Sequence, residues 1–174
     1  MRTLARVSIL AAAVTAAGCA ALQPSGPKAF ATLEPRSGSQ VSGTVAFAER
    51  GGQVVAHVEL GGLAPGSVHG FHVHEKGDCS APDASTTGGH FNPTGSAHGR
   101  AGGAVHHLGD MPSLTADGAG RVRVDLELAG VTVAPGPDSI VGRSVVVHRD
   151  ADDFTTQPAG NSGPKVACGV IVAR

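Results

Sequence analysis

Six histidines and one aspartate stand along the chain in settings that suit metal ligation: His72, His74, His90, His98, His107, Asp110 and His148. Neutral imidazole binds copper and zinc, and a single carboxylate oxygen completes a zinc site. These donors exceed the roughly four that one such ion takes. The set fits two adjacent metals better than one.

The spacing has a physical reading. Only Val73 separates His72 from His74, in an alternating apolar run that reads as a β-strand. On a strand, residues i and i+2 share a face, roughly 6.5–7 Å apart along the chain. Both imidazoles can therefore close on one metal from a rigid support. His148 ends a second strand-like run, 144–148, and can add a ligand from a neighbouring strand. His90, His98, His107 and Asp110 fall in a stretch rich in Gly, Pro and Asn. A loop can wrap around a metal in a way that one strand cannot.

Taken in order, these segments resemble the copper,zinc superoxide dismutases, specifically the bacterial secreted branch. The likeness is carried by Gly70-Phe-His-Val-His-Glu75, Gly89-His-Phe-Asn-Pro93, His107-Leu-Gly-Asp110, Val145-Val-Val-His148, Asp152-Asp153 and Ala167-Cys-Gly-Val-Ile171, and runs from about Lys28 to the C-terminus. It implies dismutation of superoxide to oxygen and hydrogen peroxide, with one copper and one zinc per subunit. Copper would be held by His72, His74, His90 and His148. Zinc would be held by His90, His98, His107 and Asp110, with a deprotonated His90 bridging the two. His106 adjoins His107, but only His107 keeps the His-x-x-Asp spacing to Asp110. The resemblance makes His69 structural, and it makes Asp152 the acceptor of hydrogen bonds from His72 and His98, fixing both rings. It also implies a disulfide between Cys79 and Cys168.

One departure stands out. Three residues before the cysteine the family usually has an arginine that guides and docks superoxide beside copper; this chain has Lys165. The charge is kept, while the planar fork with two parallel donors is lost. A lysine is also more flexible, so docking is expected to be less ordered. His90 and Lys165 are the expected catalytic residues. Lys76 and Arg149 are further cations that could shape the field near the site.

The elements that must position these residues read as strands and turns. The chain has 174 residues, enough for one domain, with 26 Gly and 11 Pro. Five Phe, no Trp and no Tyr leave the core to Val, Leu, Ile and Ala. Strand candidates are 28–34, 43–49, 53–60, 67–74, 110–116, 121–128, 142–148 and 166–172. In 121–128 the alternation points Val122, Val124, Leu126 and Leu128 inward. His57 falls on the outward phase of its strand. Eight short antiparallel strands suggest a sandwich or flattened barrel. The resemblance implies an all-β, eight-stranded antiparallel Greek-key barrel, Ig-like in architecture. The stretches 75–107 and 149–165 are too long for ordinary connections and hold or border nearly every candidate ligand.

The chain opens on Arg2 and Arg6, then a short apolar run from Val7 to Ala17, then Ala16-Ala17-Gly18-Cys19. This resembles a bacterial lipoprotein signal, with residues 1–18 removed and Cys19 lipidated, although Ala16 stands where such signals usually have Leu; plain secretion is the alternative. Residues 19–27 would then be anchor and linker, and 28–174 the domain. The expected location is the periplasm or cell envelope, held to a membrane through Cys19. With Cys19 so used, Cys79 and Cys168 remain as a pair, in a compartment where disulfides persist. A formal charge of −1 gives no case for nucleic-acid binding. Family members occur as monomers and homodimers. The alternative function is a non-enzymatic periplasmic copper/zinc-binding protein on the same barrel, which needs the ligands but no guiding cation.

Overall fold

The computed structural model describes residues 28–174, so the signal segment 1–18 and the linker 19–27 with Cys19 lie outside the described residues. The described chain forms β1 (Lys28–Pro35), β2 (Ser42–Arg50), β3 (Gln53–Gly61), β4 (Val68–His69), β5 (Phe71–His74), β6 (Leu114–Thr115), β7 (Val122–Leu128), β8 (Ser144–His148), β9 (Lys165–Val170) and β10 (Val172–Ala173), with one 3-10 turn at Ser85–Thr87. They make the expected all-β antiparallel Greek-key barrel. The sheet order is β5-β8-β9-β1-β2-β3-β7, with β10 also on β1 and β6 on β4.

Period-2 patterning builds the core. On β3, Val54, Ala56, Val58 and Leu60 are buried while His57 and Glu59 between them face out. The inward residues of β7 meet them, as the alternation predicted, with Val122 and Leu128 buried and Val124 and Leu126 packed at the margin. Along β8 every residue is buried, because both of its faces are covered. Phe71 and Val73 of β5 join the same core, so His72 and His74 on the alternate phase point away from it.

Three strands differ from the sequence expectation. The run 67–74 is interrupted at Gly70, whose N–H donates to Asp150 O at 2.8 Å. A Cβ there would lie 2.6 Å from Ser162 Oγ, so the break lets the 149–164 loop lie directly on the strand. The run 110–116 shrinks to Leu114–Thr115. Asp110 is taken up by the loop cluster, and Pro112 has no N–H to give a ladder. The run 166–172 starts one residue earlier, which brings Lys165 into β9 opposite His148, and it breaks at Ile171, so that Val172 belongs to β10.

The first long loop is tied covalently to β9. Cys79 and Cys168 form a disulfide with Cα atoms 5.8 Å apart, across 89 residues of sequence. Closing a loop of that length is worth about 4–5 kcal/mol in the chain-entropy account. Arg36 adds a clamp, its Nε donating to Cys79 O at 2.9 Å.

Candidate metal centre

β5 carries the first two histidines and its open edge recruits the rest. Val73 N–H donates to Gly109 O at 2.9 Å, Phe91 N–H to Val73 O at 2.8 Å, and Gly109 N–H to Phe91 O at 2.8 Å. This three-way backbone knot sets His90, beside Phe91, and Asp110, beside Gly109, against His72 and His74. Gly109 is required by the close approach, since a Cβ would press on Val73 O and sit 2.9 Å from Phe91 N. The Phe91 ring is covered by the Arg143 guanidinium at 3.4 Å. β8, paired with β5, delivers His148 from the other side.

The result is two clusters of buried donors that share one ring. His72, His74, His90 and His148 form one, and His90, His98, His107 and Asp110 the other. All seven residues singled out in the sequence are therefore brought together. His107 rather than His106 joins the second cluster; His106 hydrogen-bonds through Nδ1 to His107 O at 2.6 Å. His69 is buried but engaged elsewhere, with Nδ1 donating to His148 O at 2.8 Å and Nε2 at 2.6 Å from Ser67 Oγ. His57 lies outside, half-exposed between Asp125 and Glu59.

The hydrogen bonds decide which ring nitrogen faces inward. His72 Nε2 donates to Asp152 Oδ2 at 2.8 Å, which leaves its Nδ1 as a lone pair; that atom is buried and has no partner. His74 Nδ1 donates to Gly88 O at 2.9 Å and His148 Nδ1 to Gly163 O at 3.0 Å. Their Nε2 lone pairs then face one another at 3.3 Å with no proton between them. His90 Nε2 is likewise buried without a partner. Inward lone pairs in an apolar shell are costly unless a cation sits among them. The donor set fits a copper ion.

The second cluster has the same logic. The amides of Gly99 and His107 donate to Asp110 Oδ2 at 3.1 and 2.8 Å, so Oδ1 is the oxygen left facing in. Around Oδ1 stand Nδ1 of His90 at 2.8 Å, of His98 at 3.0 Å and of His107 at 3.4 Å. The Nδ1 atoms of His107 and His90 are 3.4 Å apart. A tetrahedral zinc with bonds near 2.0 Å would have edges of roughly 3.3 Å. His98 Nε2 already donates to Asp152 Oδ1 at 2.9 Å, so its Nδ1 has no proton for Asp110. These distances describe the faces of a tetrahedron rather than a hydrogen-bond network, and they fit zinc.

Burial controls the charge of the rings. It holds His72 and His74 far below the usual imidazole range, with His90 the next contribution, and brings His148 down to about 4 against the pull of its bond to Gly163. Burial also works against the Asp110 carboxylate, but the His90 ring against Oδ1 and the amides of Gly99 and His107 outweigh it and hold the group well below the carboxylate range. His72, His74, His107 and His148 are thus held toward the neutral form and Asp110 toward the anion, the forms that bind metal.

Further partners of the clusters come from the second long loop. Asp152 holds His72 and His98 together, as the resemblance implied. Gly160 stands so close that a Cβ on it would collide with Asp152 Oδ1 and His98 Nε2, at a backbone φ of 64° that favours glycine. Gln157 binds the backbone of His98, a contact that nothing in the sequence signalled.

Lys165 sits across from His148 at the β8–β9 edge. Its Nζ donates to Thr87 Oγ1 at 2.6 Å, Gly88 O at 3.0 Å and Ala84 O at 3.3 Å. The side chain is therefore tied, in contrast to the loose lysine that its flexibility led us to expect. Burial pushes its ammonium down, against Asp83 and Glu75. Arg149 is paired with Asp150 at 2.9 Å, and Lys76 is exposed.

Comparison with known proteins gives one direction. The family model for copper/zinc superoxide dismutase (SODC) matches residues 41–171. The superoxide dismutase (Cu-Zn) of Deinococcus radiodurans is 38% identical, over 99% of this chain and 98% of the relative. The superoxide dismutase (Cu-Zn) 2 of Aquifex aeolicus is 37% identical, over 83% of this chain and 86% of the relative. Among solved structures, a double mutant of a SOD-like protein from Bacillus subtilis is similar with a TM-score of 0.75 and 35% identity, covering 82% of this chain and 96% of that one.

Proposed function

The chain belongs to the copper/zinc superoxide dismutase family, and from that premise we propose how its own residues divide the work. It dismutes superoxide: two superoxide anions and two protons give one oxygen and one hydrogen peroxide. The observation that carries this function is the pair of buried donor clusters joined through His90.

We assign copper to His72, His74, His90 and His148, and zinc to His90, His98, His107 and Asp110. Copper, when bound, supplies the one-electron oxidation and reduction, and zinc supplies fixed charge. The remaining work is that of the chain. Asp152 orients His72 and His98 and fixes their tautomers. His90 Nε2, which no protein group claims, takes a proton and yields it to the leaving peroxide. Lys165 offers positive charge beside His148 and draws the anion in. Metal analysis together with superoxide turnover of the metal-loaded protein tests this. Stoichiometric copper and zinc without turnover would favour the rival metal-binding protein.

The same reading assigns the chain to the cell envelope, exported by residues 1–18 and anchored through a lipid on Cys19. The disulfide supports an oxidising compartment. A labelled fatty acid should enter the native protein and not the Cys19→Ser variant.

A further inference from the structure

Lys165 is the chain's own departure from the usual arginine, and its surroundings suit an ammonium. A lysine head group has three protons. Here three oxygens receive them: Thr87 Oγ1, Gly88 O and Ala84 O. Two of these are backbone carbonyls that any sequence would offer. The third is a side chain that this chain supplies, and Thr87 is fully buried. The Thr87 hydroxyl donates its own proton to Ala84 O at 2.9 Å, so it can only accept from Lys165. It is the shortest of the three contacts to the ammonium.

The cradle also touches the metal centre. Gly88 O, which receives Lys165, is the carbonyl that receives His74 Nδ1 at 2.9 Å. Beneath it the Lys165 backbone is fixed, with Ser37 Oγ donating to Lys165 O at 2.8 Å. The charge is held at both ends of its side chain.

We propose that Thr87 is a positioning residue for Lys165: its buried hydroxyl, with the carbonyls of Ala84 and Gly88, pins the ammonium at the rim of the His74–His148 site, so that a flexible side chain acts as a fixed point charge for a small anion. The rigidity that a planar guanidinium would bring is supplied instead by the cradle. This rests on Lys165 guiding the anion, as proposed above. Thr87 does not touch the substrate; its Oγ1 also lies 3.4 Å from His74 Nδ1, and the Lys165→Met background below separates that contact from its action through Lys165.

The test uses azide, a small monoanion, whose binding to the copper-loaded protein is followed by its visible absorption. Thr87→Val is expected to weaken azide about 3-fold to 10-fold, less than the full worth of one hydrogen bond to a charged group because two of the three acceptors still hold the ammonium. Thr87→Ser restores the native affinity, because it returns the hydroxyl. The slope of affinity against salt stays native in Thr87→Val, since the charge is kept. In a Lys165→Met background, Thr87→Val has no further effect. A second readout needs no metal: the ammonium 1H–15N signal of Lys165 in the metal-free protein should be protected from exchange in the native and Thr87→Ser proteins and lost in Thr87→Val. Native azide affinity in Thr87→Val, or an equal loss in the Lys165→Met background, overturns the proposal. Native affinity in Lys165→Met alone instead overturns the guiding role of Lys165 while the exchange measurement still judges the cradle.

Discussion

Gln157 closes a two-point clamp on the backbone of His98: the His98 N–H donates to Gln157 Oε1 at 2.8 Å, and Gln157 Nε2 donates to His98 O at 3.0 Å. One side chain thus imitates a strand partner for a loop residue. The second long loop thereby holds the first where a zinc ligand must stand. Gln157→Ala should weaken zinc about 10-fold, in the range seen for residues that support ligands, with copper affinity little changed. Competition against a chelator measures this, and equal zinc affinity would show that the clamp is idle.

Asp152 offers one oxygen to His72 and the other to His98. An asparagine keeps the shape but turns one acceptor into a donor, which opposes one ring N–H. Asp152→Asn should lower the affinity for both metals, by about 10- to 100-fold at the more affected site. Loss confined to one metal would mean that the two rings are oriented independently.

His74→Ala should remove copper and superoxide turnover while the circular dichroism of the barrel is retained, because His74 ends a strand whose other face is core. Asp110→Ala should instead cost zinc and loosen the 75–113 loop. Full turnover in His74→Ala would refute the copper assignment.

The metal-free protein should weaken in mild acid. Above the usual imidazole value of 6.5 neither the folded nor the unfolded chain protonates His148, so it contributes nothing. Below 6.5 the unfolded chain takes the proton and the buried ring refuses it, so stability falls until about pH 4, where both states bind it. One ring shifted that far costs about 3 kcal/mol. His72 and His74, held lower by burial, act in the same direction. Urea unfolding at pH 7 and pH 4.5 should show the drop; bound metal should raise stability at pH 7 without removing the drop, because a metal-bound ring refuses the proton as well.

Turnover should fall as salt rises, since attraction to Lys165 is screened over about 10 Å at 0.1 M. Lys165→Glu should slow the enzyme markedly by repelling the anion, and Lys165→Arg should match or exceed the native rate. Equal rates and equal salt slopes for all three proteins would leave Lys165 without a guiding role.

Much of the site was legible because its chemistry is written in residue types. Imidazoles two apart on a strand and the His107-x-x-Asp110 spacing announce ligands before any fold is known. The alternation in β3 and β7 announced the sheet with equal clarity. What escaped was work done by groups with no sequence signature. The carbonyls of Gly88 and Gly163 set the tautomers of His74 and His148, and any residue there has a carbonyl. Gln157 and Thr87 are ordinary polar residues until the loops fold onto them. The expected strand 110–116 failed because Asp110 serves the cluster and Pro112 cannot donate, two local facts that outweighed the apolar pattern.

β5 is four residues long and buried on both sides, with Phe71 and Val73 in the core and His72 and His74 at the metals. Metal occupancy and folding therefore draw on the same short segment. A ligand that binds only the native state stabilises it by about 1.4 kcal/mol for each tenfold excess over its dissociation constant. Metal supply then governs how often the chain opens far enough for a protease to cut it. The abundance of the protein should track available copper and zinc even when its synthesis does not change.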